Sequence, residues 1–170
     1  MRGTTLEIRL LGPLEVLRDA HPLELPPSRT ARALLAYLVA TGRAHAREHL
    51  CELLWDGPAD PRAALRGALS KLRPIVDAGS AGRITTHAGR VSFTVGDAYI
   101  DFADMQDVAR RMDDTDAVEL ERAAAVFRGA FLEGLDLSRC YRFDTWCTGL
   151  RETTRRLHDR LLAALVDRLD

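Results

Sequence analysis

The chain has 170 residues, 46% of them hydrophobic and 29% charged, and is close to neutral, with 24 Lys+Arg against 25 Asp+Glu. Such proportions belong to an ordinary globular protein with room for one medium domain or two small ones. Near-neutrality excludes a uniformly basic nucleic-acid coat, and the absence of a long apolar run or a signal-peptide core predicts a cytoplasmic protein without a membrane span. Three cysteines without paired spacing suit a reducing compartment. Cys51 falls in an apolar helical pattern and reads as core, Cys140 and Cys147 as free thiols. The charge is unevenly placed: residues 1–95 hold 13 Lys+Arg against 9 Asp+Glu, and residues 96–170 hold 11 against 16. This asymmetry predicts a basic nucleic-acid module joined to an acidic one, with the division near Gly96.

In chain order, residues 6–11 and 14–18 are β-prone runs separated by Gly12-Pro13, and residues 21–25 offer a third strand before Pro26-Pro27. A small antiparallel sheet is expected. Ser28 reads as the N-cap of a helix ending near Thr41, with Leu34, Leu35, Leu38 and Val39 inward and Gly42 as the stop. A second helix over about 46–55 buries Leu50, Cys51, Leu53 and Leu54. Residues 56–59 (DGPA) turn the chain into a third helix, residues 60–76, opened by Asp60 as cap and Pro61 at the first helical position.

That third helix carries the sharpest pattern in the chain. Leu65, Leu69, Leu72 and Val76 share one face at helical spacing, with Ala68 and Ile75 flanking it. The other face carries Arg62, Arg66 and Arg73, with Ser70, Lys71 and Gly67 beside them. Four cations without a carboxylate on the exposed side suit entry into a DNA major groove. Pro74 removes one helical hydrogen bond and predicts a kink or a loosening after Arg73. Residues 84–86 and 91–95 then alternate around 87–90 (HAGR), a hairpin with a cation at its tip.

Sheet, three helices and hairpin, in that order, make a winged helix-turn-helix in which the third helix reads DNA and the hairpin is the wing. The segments 8–16 (IRLLGPLEV), 25–43 (LPPSRTARALLAYLVATGR) and 47–73 (REHLCELLWDGPADPRAALRGALSKLR) resemble the output domain of the Streptomyces antibiotic regulatory protein family, itself similar to the OmpR-type winged helix. Further on, residues 123–135 (AAAVFRGAFLEGL) and 143–152 (FDTWCTGLRE) resemble the bacterial transcriptional activator domain, a tetratricopeptide-like helical array. The fold expected is therefore α+β: a winged-helix domain over 1–96, then the first part of an all-α array over 97–170.

The resemblance implies a transcriptional activator that binds promoter direct repeats as paired subunits. The DNA-contacting residues would be Arg62, Arg66, Ser70, Lys71 and Arg73 on the third helix, Arg90 on the wing and Arg47 at the start of the second helix. Arginines at such positions either make bidentate contacts to guanine or grip phosphates. The loop with Trp55, Asp56 and Asp60 corresponds to one that touches RNA polymerase in OmpR-type proteins.

In the second half, Asp101 and Asp116 read as helix caps, Leu120, Ala123, Ala124 and Phe127 as one apolar face, and residues 143–169 as a last helix. There Leu157, Leu161, Leu165 and Leu169 line one side, Leu162 and Val166 an adjoining one. A helix apolar on two sides needs neighbours on both. The family's array continues further, so this end belongs to a longer chain or packs on another subunit; self-association through it is expected.

His45, Glu48 and His49 match the H-x-x-E-H pattern of one class of zinc peptidases. A helix-boundary His45 and no third ligand speak against a metal, and none is expected. Without a Gly-rich phosphate loop, a G-x-S-x-G or a Cys-His nucleophile, the sequence reads as non-enzymatic and without a cofactor. The rival reading, slightly favoured by the modest positive balance of the first half, is an N-terminal protein-interaction module of a larger signalling protein.

Overall fold

The computed structural model describes residues 5–57, 60–78 and 82–170. It is a mixed α+β fold with a sheet at its N-terminus and helices at its C-terminus. The first hairpin pairs β1 (Leu6–Arg9) with β2 (Glu15–Arg18), antiparallel, and a short β3 (His21–Pro22) extends it. Alternation along β1 sends Leu6 and Ile8 into the core and Glu7 and Arg9 toward solvent, where Arg9 pairs with Glu7 and Glu15.

Helix α1 (Arg29–Thr41) begins where the Ser28 hydroxyl accepts from the Ala31 amide at 3.2 Å. It stops at Gly42, whose φ of 64° is the left-handed conformation that a residue without a Cβ adopts freely. A two-residue strand β4 (His45–Ala46) leads into α2 (Arg47–Leu54), and α3 (Pro61–Val76) follows, its first turn capped by Asp60 onto the Ala63 amide. The apolar spacing works as expected: Leu65, Ala68, Leu69, Leu72 and Val76 are buried. Pro74 does not end α3, which runs to Val76. The carbonyls of its last turn are held from outside, Ile75 by Arg18 at 2.5 Å and Val76 by Arg83 at 3.2 Å.

Strands β5 (Ile84–His87) and β6 (Arg90–Phe93) form the second hairpin, and β4 joins the free edge of β6. Its turn is Ala88-Gly89, with φ of 51° and 74°, the signs required by the two-residue turn that matches strand twist. Buried Arg83 fastens the hairpin's base: besides Val76 it donates to the Val95 carbonyl and pairs with Asp97 at 2.7 Å.

The chain then returns to the first sheet. Strand β7 (Tyr99–Ile100) lies parallel to β1, giving the order β3-β2-β1-β7 among the described residues. Asp101, expected as a cap, is instead the first residue of α4 (Asp101–Arg110), and Ile100 holds the cap position without a side-chain bond. Its buried carboxylate accepts from the amides of Leu10 at 2.7 Å, Leu11 at 3.0 Å and Phe102 at 2.7 Å. Burial pushes this carboxyl's pKa up while the three amides pull it down. One strand-end thus gains a fixed partner some ninety residues later in sequence.

Helix α5 (Ala117–Ala125) is capped by Asp116 onto the Glu119 amide, and Phe127 lies beyond its end rather than on it. Helix α6 (Tyr141–Leu169) packs along α5 and touches α2. Leu161 is fully buried and Leu157 and Leu165 half-buried, while Leu162, Val166 and Leu169 are exposed. Of the side expected to carry Leu157, Leu161, Leu165 and Leu169, the first three find cover among the described residues, whereas Leu169 falls with Leu162 and Val166 on the exposed side, seven residues being nearly two full turns. Trp146 of α6 stacks edge-on against Tyr37 of α1 at 4.8 Å and against Phe131 at 5.6 Å. The buried apolar side chains of both halves belong to one contiguous core.

Candidate nucleic-acid interface

Anchored by its buried leucines, α3 turns Arg62, Arg66, Gly67, Ser70, Lys71 and Pro74 outward, with Arg73 half-buried at the margin. At about 100° per residue, Arg62, Arg66 and Arg73 lie within about 40° of one another, whereas Lys71 sits about 140° round from Arg66. Lys71 therefore flanks the opposite edge of the exposed arc. Arg66, Lys71 and Arg73 have no ion pair or side-chain hydrogen bond among the described residues. Arg73 and Ser70 also line a shallow cleft beside Pro74 and Asp77.

Arg62 departs from the expectation of a face without carboxylates. Its Nη2 lies 2.8 Å from Oε1 of Glu48, the second residue of α2, so a carboxylate from the neighbouring helix stands at the N-terminal end of the basic face. Only sequence-local neighbours were visible in the periodicity, and this partner is 14 residues away. Arg47, Glu48, Asp60 and Arg62 all act on the thiol of Cys51, whose pKa is pushed up mainly by burial. The two helix N-termini thus converge on one patch.

The hairpin closes that patch from the other side. The Arg47 amide donates to the Gly89 carbonyl at 3.0 Å, which ties the hairpin's turn to the start of α2. Arg90, exposed as the first residue of β6, leans back toward β4, and its Nη2 donates to the Ala44 carbonyl at 3.4 Å. The half-buried Arg47 side chain has no partner among the described residues. Arg43, which no motif in the sequence singles out, joins Arg47 and Arg90 here: it is exposed, and with Arg90 it bears on buried His45. Its signal was available in principle, as the first cation after the Gly42 stop and ahead of a strand that pairs with the wing.

His45 and His49 stack at 5.6 Å, but their Nε2 atoms turn to hydroxyls, His45 to Thr41 at 2.7 Å and His49 to Tyr37 at 3.0 Å. His45 sits in β4, ahead of the helix rather than on it. The H-x-x-E-H spacing thus serves packing contacts between α1 and α2, and Glu48 is bound to Arg62. Among the described residues no group of three or more His, Cys, Asp or Glu side chains is arranged to hold a metal.

The loop between α2 and α3 faces the second half of the chain. Half-buried Trp55 and exposed Asp56 line a cleft of about 530 Å³ together with Cys51, Pro61, Arg139 and Tyr141. Cys140 ties that side down through its thiol, which donates to the Leu54 carbonyl at 3.2 Å. Asp60 is committed to capping α3, and residues 58 and 59 of the loop lie outside the described residues.

Among the described residues no helix is long and apolar enough to cross a membrane. No protein-family model matches the chain, and no curated protein matches it. Among solved structures, its fold is similar to that of Mycobacterium tuberculosis EmbR, determined in complex with a low affinity phosphopeptide. The TM-score is 0.73 at 21% identity, over 97% of this chain and 47% of that one, so the chain spans under half the length of this neighbour. The likeness establishes a shared α+β fold that runs across both halves of the chain.

Proposed function

We propose that this chain is a sequence-specific, DNA-binding transcriptional regulator. Residues 6–95 act as an OmpR-type winged helix, α3 entering the major groove and the β5–β6 hairpin serving as wing. The residues after 96 form the start of a tetratricopeptide-like activator domain. The observation that carries this reading is the outer arc of α3, where Arg66, Ser70 and Arg73 stand on a leucine-anchored helix with no carboxylate paired to them among the described residues. The convergence of the α2 N-terminus, the hairpin turn, Arg43, Arg47 and Arg90 beside it supplies the phosphate-binding flank that such a reader needs. The sequence resemblance and the fold shared with EmbR support the same reading.

The protein acts as an activator, binding promoter direct repeats as paired subunits, and the loop containing Trp55, Asp56 and Asp60 meets RNA polymerase. A second reading, a protein-interaction module of a larger signalling protein, draws on the Arg62–Glu48 pair, which withdraws one cation from the face.

Binding to duplexes selected from a random library by the wild-type protein separates the two readings. Arg66→Ala and Arg73→Ala are each expected to weaken selected-site binding by about 1–3 kcal/mol, roughly ten- to a hundredfold. Arg90→Ala weakens all duplexes alike and flattens the salt slope by about one. Equal binding by the wild type and the Arg66→Ala/Arg73→Ala double variant would overturn the assignment of α3 as reader.

A further inference from the structure

Glu48 stands where a phosphate-binding surface has least use for it. Its carboxylate joins Arg62 across the α2–α3 junction, with the two side chains 63% and 66% exposed. An ion pair so open to water contributes little to folding, and the carboxylate's place in the first turn of α2, which suits the helix dipole, adds only modestly to that. Beside it, Arg47 carries no carboxylate partner among the described residues, nor do Arg43 on the wing side or Arg66 one turn along α3 from Arg62, and Arg90 donates to the Ala44 carbonyl. Of the other nearby acids, Asp60 holds the Ala63 amide, and Glu52, one turn further along α2, pairs with Arg142 at 3.5 Å. Glu48 is thus a negative charge at the point where the wing flank meets the base-reading helix.

We propose that Glu48 is a specificity-determining residue of the DNA surface, acting as a brake on binding to arbitrary sequence. It does so in two ways. Its charge repels any phosphate brought against the start of α2. It also occupies Nη2 of Arg62, so that this guanidinium is withheld from the backbone and held in one orientation. The other N–H groups of the fork remain free to meet a pair of base acceptors. At a site presenting that pair, Arg62 arrives already ordered; at any other site it has nothing to bind while Glu48 still repels. Affinity for random DNA falls and affinity for the right site is kept.

This inference rests on the DNA-binding reading above. Its test is Glu48→Gln, which keeps shape and hydrogen-bonding capacity and removes the charge; the pair lies largely in water, so the fold is expected to stay intact, to be checked by thermal melting. Binding is measured by fluorescence anisotropy across salt, on a short duplex of random sequence and on a duplex selected with the wild-type protein. Glu48→Gln is expected to bind the random duplex about three- to tenfold more tightly, with a log–log salt slope steeper by about one, as Arg62 takes a phosphate. The ratio of selected to random binding falls. In the Glu48→Gln/Arg62→Ala double variant the extra slope disappears. If the wild type binds selectively and Glu48→Gln changes neither random-duplex affinity nor slope, or if the double variant keeps the extra slope, the brake is refuted while the reader helix stands. If neither the wild type nor any variant binds duplex, the DNA-binding reading falls and takes this inference with it.

Discussion

His45 is 1% exposed and held by a short relay: Thr41 Oγ1 donates to the Tyr37 carbonyl and so accepts from Nε2–H of the imidazole. Nδ1 is then the bare nitrogen, and it is buried without a partner among the described residues. A second proton would have to sit there, in a site that burial makes hostile to charge and that Arg43, His49 and Arg90 make more so. These causes lower the pKa from 6.5 to about 4. The unfolded chain therefore takes up a proton between those values that the folded chain refuses, so the stability contributed by the neutral ring is fully present above about 6.5. It is lost as pH falls toward 4, on the order of 3 kcal/mol over the window. Urea unfolding at a series of pH values between 7 and 4 is expected to show this loss, and His45→Leu to flatten it. A His45→Leu chain with the wild-type pH dependence would place the proton uptake elsewhere.

At the level of elements, α1, α3 and the β5–β6 hairpin were legible in the sequence because their determinants are local. Ser28 and Asp60 cap within three residues, the buried leucines of α3 repeat with the helix, and Ala88-Gly89 is a two-residue turn. What positions those elements was not legible, because it is made between residues far apart in the chain. Arg83 gave no periodic signal, being one cation in a loop, yet it joins the end of α3 to the hairpin through Val76, Val95 and Asp97. Asp101 looked like a cap and is the clamp on Leu10 and Leu11. The same limit hid Glu48 from the reading of α3. Arg83→Leu tests the element-scale role: it strands two carbonyls in a buried site and is expected to cost about 2–4 kcal/mol in chemical unfolding. Because the hairpin is also the proposed wing, loosening it should weaken duplex binding evenly across sequences. An Arg83→Leu chain as stable as the wild type would mean that water or the helix end replaces those bonds.

Across the whole molecule the charge division near Gly96 is not a division in packing. Beyond it, β7 completes the first sheet, α4 packs on β1, and Trp146 of α6 meets Tyr37 of α1. The far end of α6 is different. Arg168 anchors it by donating to the carbonyls of Met112, Asp113 and Thr115, and Leu161 is sealed at 0% exposure. On its other side Leu162, Val166 and Leu169 are 42%, 57% and 73% exposed, spaced four and then three residues apart as one stripe. Burying a leucine fully is worth about 1.5–3 kcal/mol, so two such stripes laid together gain enough for weak pairing once the entropy of association is met. The expected outcome is concentration-dependent dimerisation in sedimentation, abolished by Leu162→Glu plus Val166→Glu with little change in melting temperature. Leu161→Glu, in contrast, puts a charge into the α5–α6 contact and is expected to unfold that pair of helices, which distinguishes the covered side from the open one. A wild-type chain that stays monomeric at high micromolar concentration would show that the stripe is too narrow to pair, and DNA would then have to supply the contact that brings two reader helices together.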